Sequence, residues 1–193
     1  MEKILLINAC VRENSRTLAL ARYILDKLSG EICKINLEQE NLKPLDRKTL
    51  EKREQLVSEN DFSDGMFRHA KEFAAADTVV IAAPYWDFAF PALLKIYLEQ
   101  ITVCKVTFRY AKGIPQGMCR AKRLIYVTTA GGTIHDDFGF EYVKALAQKL
   151  YGIREVLYFK AENLDIDGND VTELIEDTKD KIDTEIRKWN HWV

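Results

Sequence analysis

Three continuous apolar runs, "KILLIN" (residues 3–8), "TVVIAA" (78–83) and "RLIYVTT" (123–129), leave little freedom in the choice of architecture. They are rich in β-branched side chains and carry no polar alternation, as in strands covered on both faces. Between them the period turns helical. Leu18, Ala21, Tyr23, Leu25 and Leu28 recur on one face, after Asn14 and Ser15, which suit a helix start, and before Gly30, which suits a helix end. Carried through, the pattern predicts strands near 3–8, 31–37, 77–83, 122–129 and 154–160. Helices fall near 15–29, 50–75 with a break around Asp61 to Gly65, 90–103, 137–150 and 170–188. Such alternation specifies an α/β fold, a doubly wound parallel sheet with helices on both faces, because parallel neighbours need crossovers and each crossover helix covers a face. No repeat or low-complexity linker divides residues 1–193, so a single domain is expected. Two longer irregular stretches remain, 38–49 and 104–121.

Charge narrows the partners. With 28 basic and 30 acidic residues well mixed, the formal charge is -2, which provides no basic face for nucleic acid. No apolar stretch approaches the ~20 residues of a membrane span, and the first residues show no signal-peptide pattern, so a soluble, cytoplasmic protein is expected. Cys10, Cys33, Cys104 and Cys119 form no C-x-x-C pair and no zinc spacing, so reduced thiols and no metal are expected. A small molecule is the default partner.

In an open α/β sheet, ligands bind beyond the carboxyl ends of the strands. Three loops then matter. "NACVRENSRT" (8–17) leads into the first helix, where free amides, Ser15 and Thr17 hydroxyls and the charges of Arg12 and Arg16 suit a phosphate, although for this loop taken alone an ordinary cap by Asn14 or Ser15 is the preferred reading. It holds neither G-x-G-x-x-G nor G-x-x-x-x-G-K-[ST]. "APYWDFAFPALLK" (83–95) places four aromatics between prolines, of which Phe90 suits the packing face of the next helix. "TTAGGTIHDD" (128–137) offers Gly131 and Gly132, which let backbone approach a flat ligand or simply make a turn. A phosphate seat, an aromatic shelf and a glycine-lined edge together fit a flat phosphorylated cofactor such as FMN.

The blocks "PYWDF", "LLKIYLEQI", "VTFRY" and "TTAGG", in this order and at these separations, resemble the FMN-dependent NAD(P)H azoreductase and quinone reductase family of the flavodoxin-like fold. The resemblance runs from the first strand to the last helix. It implies a five-stranded parallel sheet in the order 2-1-3-4-5 and a homodimer with FMN at the subunit interface. It also implies ping-pong reduction of quinones or azo compounds by NADH or NADPH, with hydride passing through flavin N5. Carried over, the phosphate meets Ser15, Arg16 and Thr17, with Cys10 where the family has serine. The ring meets Tyr85, Trp86, Asp87 and Phe88, and Thr129, Ala130, Gly131 and Gly132 line its other edge. Asp87 replaces the usual asparagine and Ala130 a common arginine, which bears on flavin potential and substrate preference.

Two further residues are candidates for the chemistry. His135 follows the glycines and suits charge stabilisation on reduced flavin or proton donation, or is an exposed loop histidine. Tyr110, with Phe108, suits a roof over the flavin from this or the partner subunit, in a stretch that reads equally as a β-ribbon cover. "DIDGND" (165–170) is like a calcium loop but lacks the turn glycine at its sixth position, and is expected to be a turn. "CRAKR" (119–123) is a solvated edge or a seat for the extra phosphate of NADPH. Trp189 and Trp192 are expected to dock on the domain or a neighbour, and His69 and His191 have no partner by spacing. The alternative activities are a one-electron carrier and a flavin-free binding module or hydrolase.

Overall fold

A computed structural model describes residues 1–190, so His191 and Trp192 lie outside the described residues. The chain runs β1 (Lys3–Asn8), α1 (Arg16–Leu25), β2 (Glu31–Asn36), α2 (Arg47–Glu59), α3 (Arg68–Ala75), β3 (Thr78–Ala82) and α4 (Ala92–Ile101). It continues with β4 (Phe108–Ala111), β5 (Ile114–Gly117), β6 (Arg123–Thr129), α5 (Phe138–Leu146), β7 (Glu155–Ala161) and α6 (Val171–Asn190). Among the described residues no helix is long and apolar enough to cross a membrane.

Five strands form one parallel sheet in the order β2-β1-β3-β6-β7. The expected order 2-1-3-4-5 is corrected by this: positions four and five in the chain belong to an antiparallel ribbon, β4–β5, outside the sheet. The ribbon turns on Lys112 and Gly113, both with positive φ, the backbone of a tight two-residue hairpin. Its strands are four residues each and largely exposed, so no buried run announces them.

Alternation along the buried strands divides the core in two. Leu5, Ile7, Val79, Ile81, Leu124 and Tyr126 face Phe67, Phe73, Leu94, Tyr97 and Tyr151. Ile4, Leu6, Val80, Ala82, Ile125 and Val127 face Leu20, Ala21, Ile24, Ile182 and Ile186. At about 1.5–3 kcal/mol per fully buried side chain, these two layers supply most of the driving force and lock the register. The expected break in the 50–75 helix is a real interruption: Asn60 ends α2 in the left-handed conformation and Asp64 caps the turn before α3. Because all five sheet strands are parallel, their carboxyl ends share one edge, and the strand order reverses between β1 and β3.

The opposite edge accounts for "CRAKR". Arg120 pairs with Asp77 at 2.7 Å and Arg123 with Glu155 at 2.9 Å, at the amino ends of β3, β6 and β7. Trp189 lies 3.9 Å over the Arg123 guanidinium, so α6 docks on the domain there. In "DIDGND", Asp170 accepts from the Thr172 and Glu173 amides and so starts α6. His69 is buried between Glu40 and Glu72, each 3.4 Å away: Glu72 is its i+3 neighbour on α3, so one partner does follow from helical spacing, while Glu40 is brought in by the fold.

Candidate cofactor site

A cleft of about 300 Å³ opens at the carboxyl edge of the sheet. Its first wall is the β1–α1 loop. Ala9 donates to the Ala82 carbonyl at 2.8 Å and Cys10 N to Asn8 Oδ1 at 3.0 Å, which fixes the chain as it leaves the sheet. The Cys10 thiol is 5% exposed and contacts the Ala82 carbonyl at 3.6 Å. Burial pushes this thiol up, against opposing hydrogen bonds involving Ser15, Leu18 and Thr17, so it remains neutral. Ser15 is the α1 cap, its Oγ accepting from Leu18 N at 3.2 Å. The amides of Arg16 and Thr17 have no partner among the described residues, and both residues line the cleft with Arg12 and Asn14. A helix start with spare amides, a hydroxyl and two guanidinium groups is a donor set for an anion.

The second wall answers why four aromatics crowd residues 85–90. Tyr85 N donates to the Thr129 carbonyl at 3.1 Å, extending the β3–β6 pairing beyond the sheet, and its hydroxyl donates to the Asp136 carbonyl at 2.7 Å. Burial, then the Asp137 and Asp136 carboxylates, push the Tyr85 phenol up and keep that proton in place. Trp86 and Ala89 exchange both backbone hydrogen bonds, at 3.2 and 2.8 Å, around Asp87 and Phe88. Those two central residues have φ of 51° and 65°, so the segment is a tight hairpin turn that neither strand nor helix accommodates. Phe90 packs with the core below.

An aspartate tolerates this conformation, but a phenylalanine held there costs about 1 kcal/mol. Phe88 is 60% exposed and so recovers little by burial. Phe88→Asn is therefore expected to raise the melting temperature by about 2–4 °C, measured by thermal denaturation of the apoprotein. An unchanged or lower midpoint would show that the ring's contact with Tyr85, at 6.5 Å between centroids, outweighs the backbone cost.

The third wall follows β6. Thr129 Oγ1 lies 2.6 Å from Thr17 Oγ1, joining it to the first wall. Ala130 is 7% exposed and donates from its amide to the Ala161 carbonyl at 2.9 Å. Asp137 then ties the loop to α5 and β7, accepting from Phe140 N at 2.8 Å and from the Tyr158 hydroxyl at 2.6 Å.

Of the residues singled out in the sequence, Cys10, Ser15, Arg16, Thr17, Tyr85, Trp86, Thr129, Ala130 and Gly131 line one cleft. Asp87, Phe88, Gly132, His135 and Tyr110 do not; all five lie on exposed surface. Tyr110 stands on the ribbon, packed edge-on against Phe108 at 5.5 Å. A fourth loop, which the sequence marks only as the turn "DIDGND", joins them. Leu164 and Asp165, after β7, complete the lining, and the shared polarity of parallel strands was the signal that pointed to them.

The family profile described as "Flavodoxin-like fold" matches residues 2–186. The chain is 30% identical over 191 residues to an FMN-dependent NADH:quinone oxidoreductase of Lachnoclostridium phytofermentans, covering 94% of this chain and 96% of the relative. It is 29% identical over the same length to an FMN-dependent NADH:quinone oxidoreductase of Clostridium perfringens, with the same shares covered. Among solved structures it is similar to an azoreductase from Bacillus anthracis, with a TM-score of 0.83 and 18% identity over 97% of this chain and 100% of that one. A second B. anthracis structure, an FMN-dependent NADH-azoreductase in complex with FMN, gives a TM-score of 0.80 and 21% identity over 98% and 99%. With architecture, cleft and a match along nearly the whole chain in agreement, the chain belongs to the flavodoxin-like fold family, in the quinone reductase and azoreductase group that its motifs resemble.

Proposed function

We propose that this protein is an FMN-dependent NADH oxidoreductase that reduces quinones and similar flat acceptors. The observation that carries this reading is the donor set at the start of α1, which opens into a cleft walled by the Tyr85–Trp86 segment and by Thr129 to Gly131. The residues fit the cofactor: Arg16 and Thr17 amides, the Ser15 hydroxyl and the Arg12 and Arg16 guanidinium groups suit its phosphate, with the buried Cys10 thiol filling space beneath. The Tyr85–Trp86 and Thr129–Gly131 backbones suit its ring, with Asp87, Phe88 and Gly132 at the open rim. Bound FMN supplies reversible two-electron chemistry, while the chain supplies position, electrostatics and exclusion of water.

NADH is the donor in this reading, as in the named relatives, and NADPH gains no support from "CRAKR", which lies at the other edge of the sheet. His135, exposed beyond the glycines, is assigned proton delivery to the reduced acceptor. Phe88 and Phe138, joined by a backbone hydrogen bond, and Tyr110 and Ile114 on the ribbon are each at least 60% exposed. This exposed apolar surface supports a homodimer in which the ribbon, with Tyr110, roofs the partner's ring; a cytoplasmic location belongs to the same proposal. A one-electron carrier is not favoured, because a net charge of -2 gives little steering toward a redox partner.

The test is a visible spectrum of the purified protein followed by steady-state NADH oxidation with a quinone. Flavin absorbance, turnover and parallel double-reciprocal lines are expected. A colourless protein that takes up no added FMN refutes the reading, and a yellow protein without turnover leaves the carrier.

A further inference from the structure

Asp165 is the group that does not suit an anion site. Its carboxylate lines the same cleft as the free amides of α1 and the two arginines. It is there by construction. Asp165 N donates to the Gly131 carbonyl at 2.9 Å and Leu164 N to the Ala130 carbonyl at 3.2 Å, so the β7 loop is clipped to the β6 loop. Its Oδ2 lies 2.3 Å from where a β-carbon on Gly131 would sit, so a side chain at 131 would push the carboxylate out of this position. Its Oδ1 then holds Arg16 Nη1 at 2.9 Å, and the same nitrogen reaches the Leu164 carbonyl at 3.3 Å.

Arg16 thus spans the cleft from the first wall to the fourth. The pair is exposed, at 45% and 65% of the two side chains, so it is weak and screened by salt. A guanidinium has five donors, and a phosphate dianion is a stronger, doubly engaging acceptor than a single carboxylate oxygen.

We propose that Asp165 is a latch that holds Arg16 across the mouth of the cleft and yields it to the phosphate of the cofactor, thereby setting how strongly the site prefers a phosphorylated flavin to an unphosphorylated one. This rests on the FMN reading above and deepens it. With riboflavin, which brings no anion, Arg16 stays on Asp165. With FMN, Arg16 changes partner, and the site loses the part of its phosphate affinity spent in breaking the pair and in holding a carboxylate nearby.

The experiment is equilibrium titration of the apoprotein with FMN and, separately, with riboflavin, followed by quenching of flavin fluorescence at low and high salt. Asp165→Asn is expected to tighten FMN about three- to tenfold at low salt, less at high salt, and to leave riboflavin within about twofold. Asp165→Ser should do the same, since the backbone clip to Gly131 does not depend on the side chain. Arg16→Gln is expected to weaken FMN about tenfold with riboflavin unchanged. In the Arg16→Gln background, Asp165→Asn should retain only the small gain from removing a nearby charge. The latch is overturned if both Asp165 variants weaken FMN, if they tighten both flavins equally, or if their full gain persists without Arg16. A wild-type protein that binds riboflavin and FMN equally also overturns it while leaving a flavin site intact. Wild type that binds neither flavin removes the FMN reading itself.

Discussion

Replacing Gly117 by alanine is expected to lower the melting temperature by about 6–12 °C. The reason is a backbone-to-backbone contact. A β-carbon at 117 would lie 2.2 Å from Tyr151 C, Tyr151 O and Gly152 N, none of which can rotate away. These atoms close the wide turn Ala147–Tyr151 after α5, where Gly152 takes φ of 83° and Tyr151 is 1% exposed with its hydroxyl 2.6 Å from Thr102 Oγ1. The turn is held on several sides and cannot retreat. The ribbon must move instead, losing the Cys119 N contact to the Tyr151 carbonyl and the Met118 N bond to the Thr107 carbonyl at 2.9 Å. Overpacking of this kind costs about 3 kcal/mol, and a chain of this size loses about 2–4 °C per kcal/mol. Gly65→Ala is the control, because nothing lies within 4 Å of its β-carbon position. Equal melting temperatures for the two variants would refute the account of how the ribbon is seated.

Saturation with FMN is expected to raise the melting temperature by about 5–11 °C over the apoprotein. A ligand at one hundred times its dissociation constant stabilises the native state by about 2.7 kcal/mol, whatever contacts it makes, provided the unfolded chain does not bind it. The same conversion of about 2–4 °C per kcal/mol then applies. The effect should be large because the cleft is assembled from four loops that the unfolded chain keeps far apart in sequence, from Cys10 to Asp165. Circular dichroism melts at increasing FMN would show it, with riboflavin giving a smaller shift at equal concentration. Melts that ignore millimolar FMN would count directly against the cofactor assignment.

How much was legible beforehand follows from burial. β1, β3 and β6 are covered on both faces, so their central residues are unbroken apolar runs that stand out. β2 is an edge whose first four residues are exposed, and it was located by the rhythm of the alternation more than by its own composition. β4 and β5 had no such rhythm. Their pairing depends on the turn at Lys112–Gly113 and on Gly117 lying flush against Tyr151, contacts between residues far apart in sequence.

The site divides in the same way. A helix cap, an aromatic cluster and a glycine pair are local signals, and they marked three of the four loops. The left-handed backbone at Asp87 and Phe88 carried no glycine to announce it. Asp165 is hidden because its neighbours in the cleft, Gly131 and Arg16, lie 34 and 149 positions away, while its own sequence neighbours spell a turn.

The Thr17–Thr129 hydrogen bond, 2.6 Å long with Thr17 only 1% exposed, bears on how the pocket can change. It reaches from the element after β1 to the end of β6, passing over β3, which lies between them in the sheet. The two sides of the pocket are therefore strutted to one another, and its width is a property of the scaffold. A pocket strutted in this way is expected to select by fit more than by closing on its guest. Substitution of the exposed residues Asp87, Phe88 and Gly132 is therefore expected to change what enters without spreading the walls.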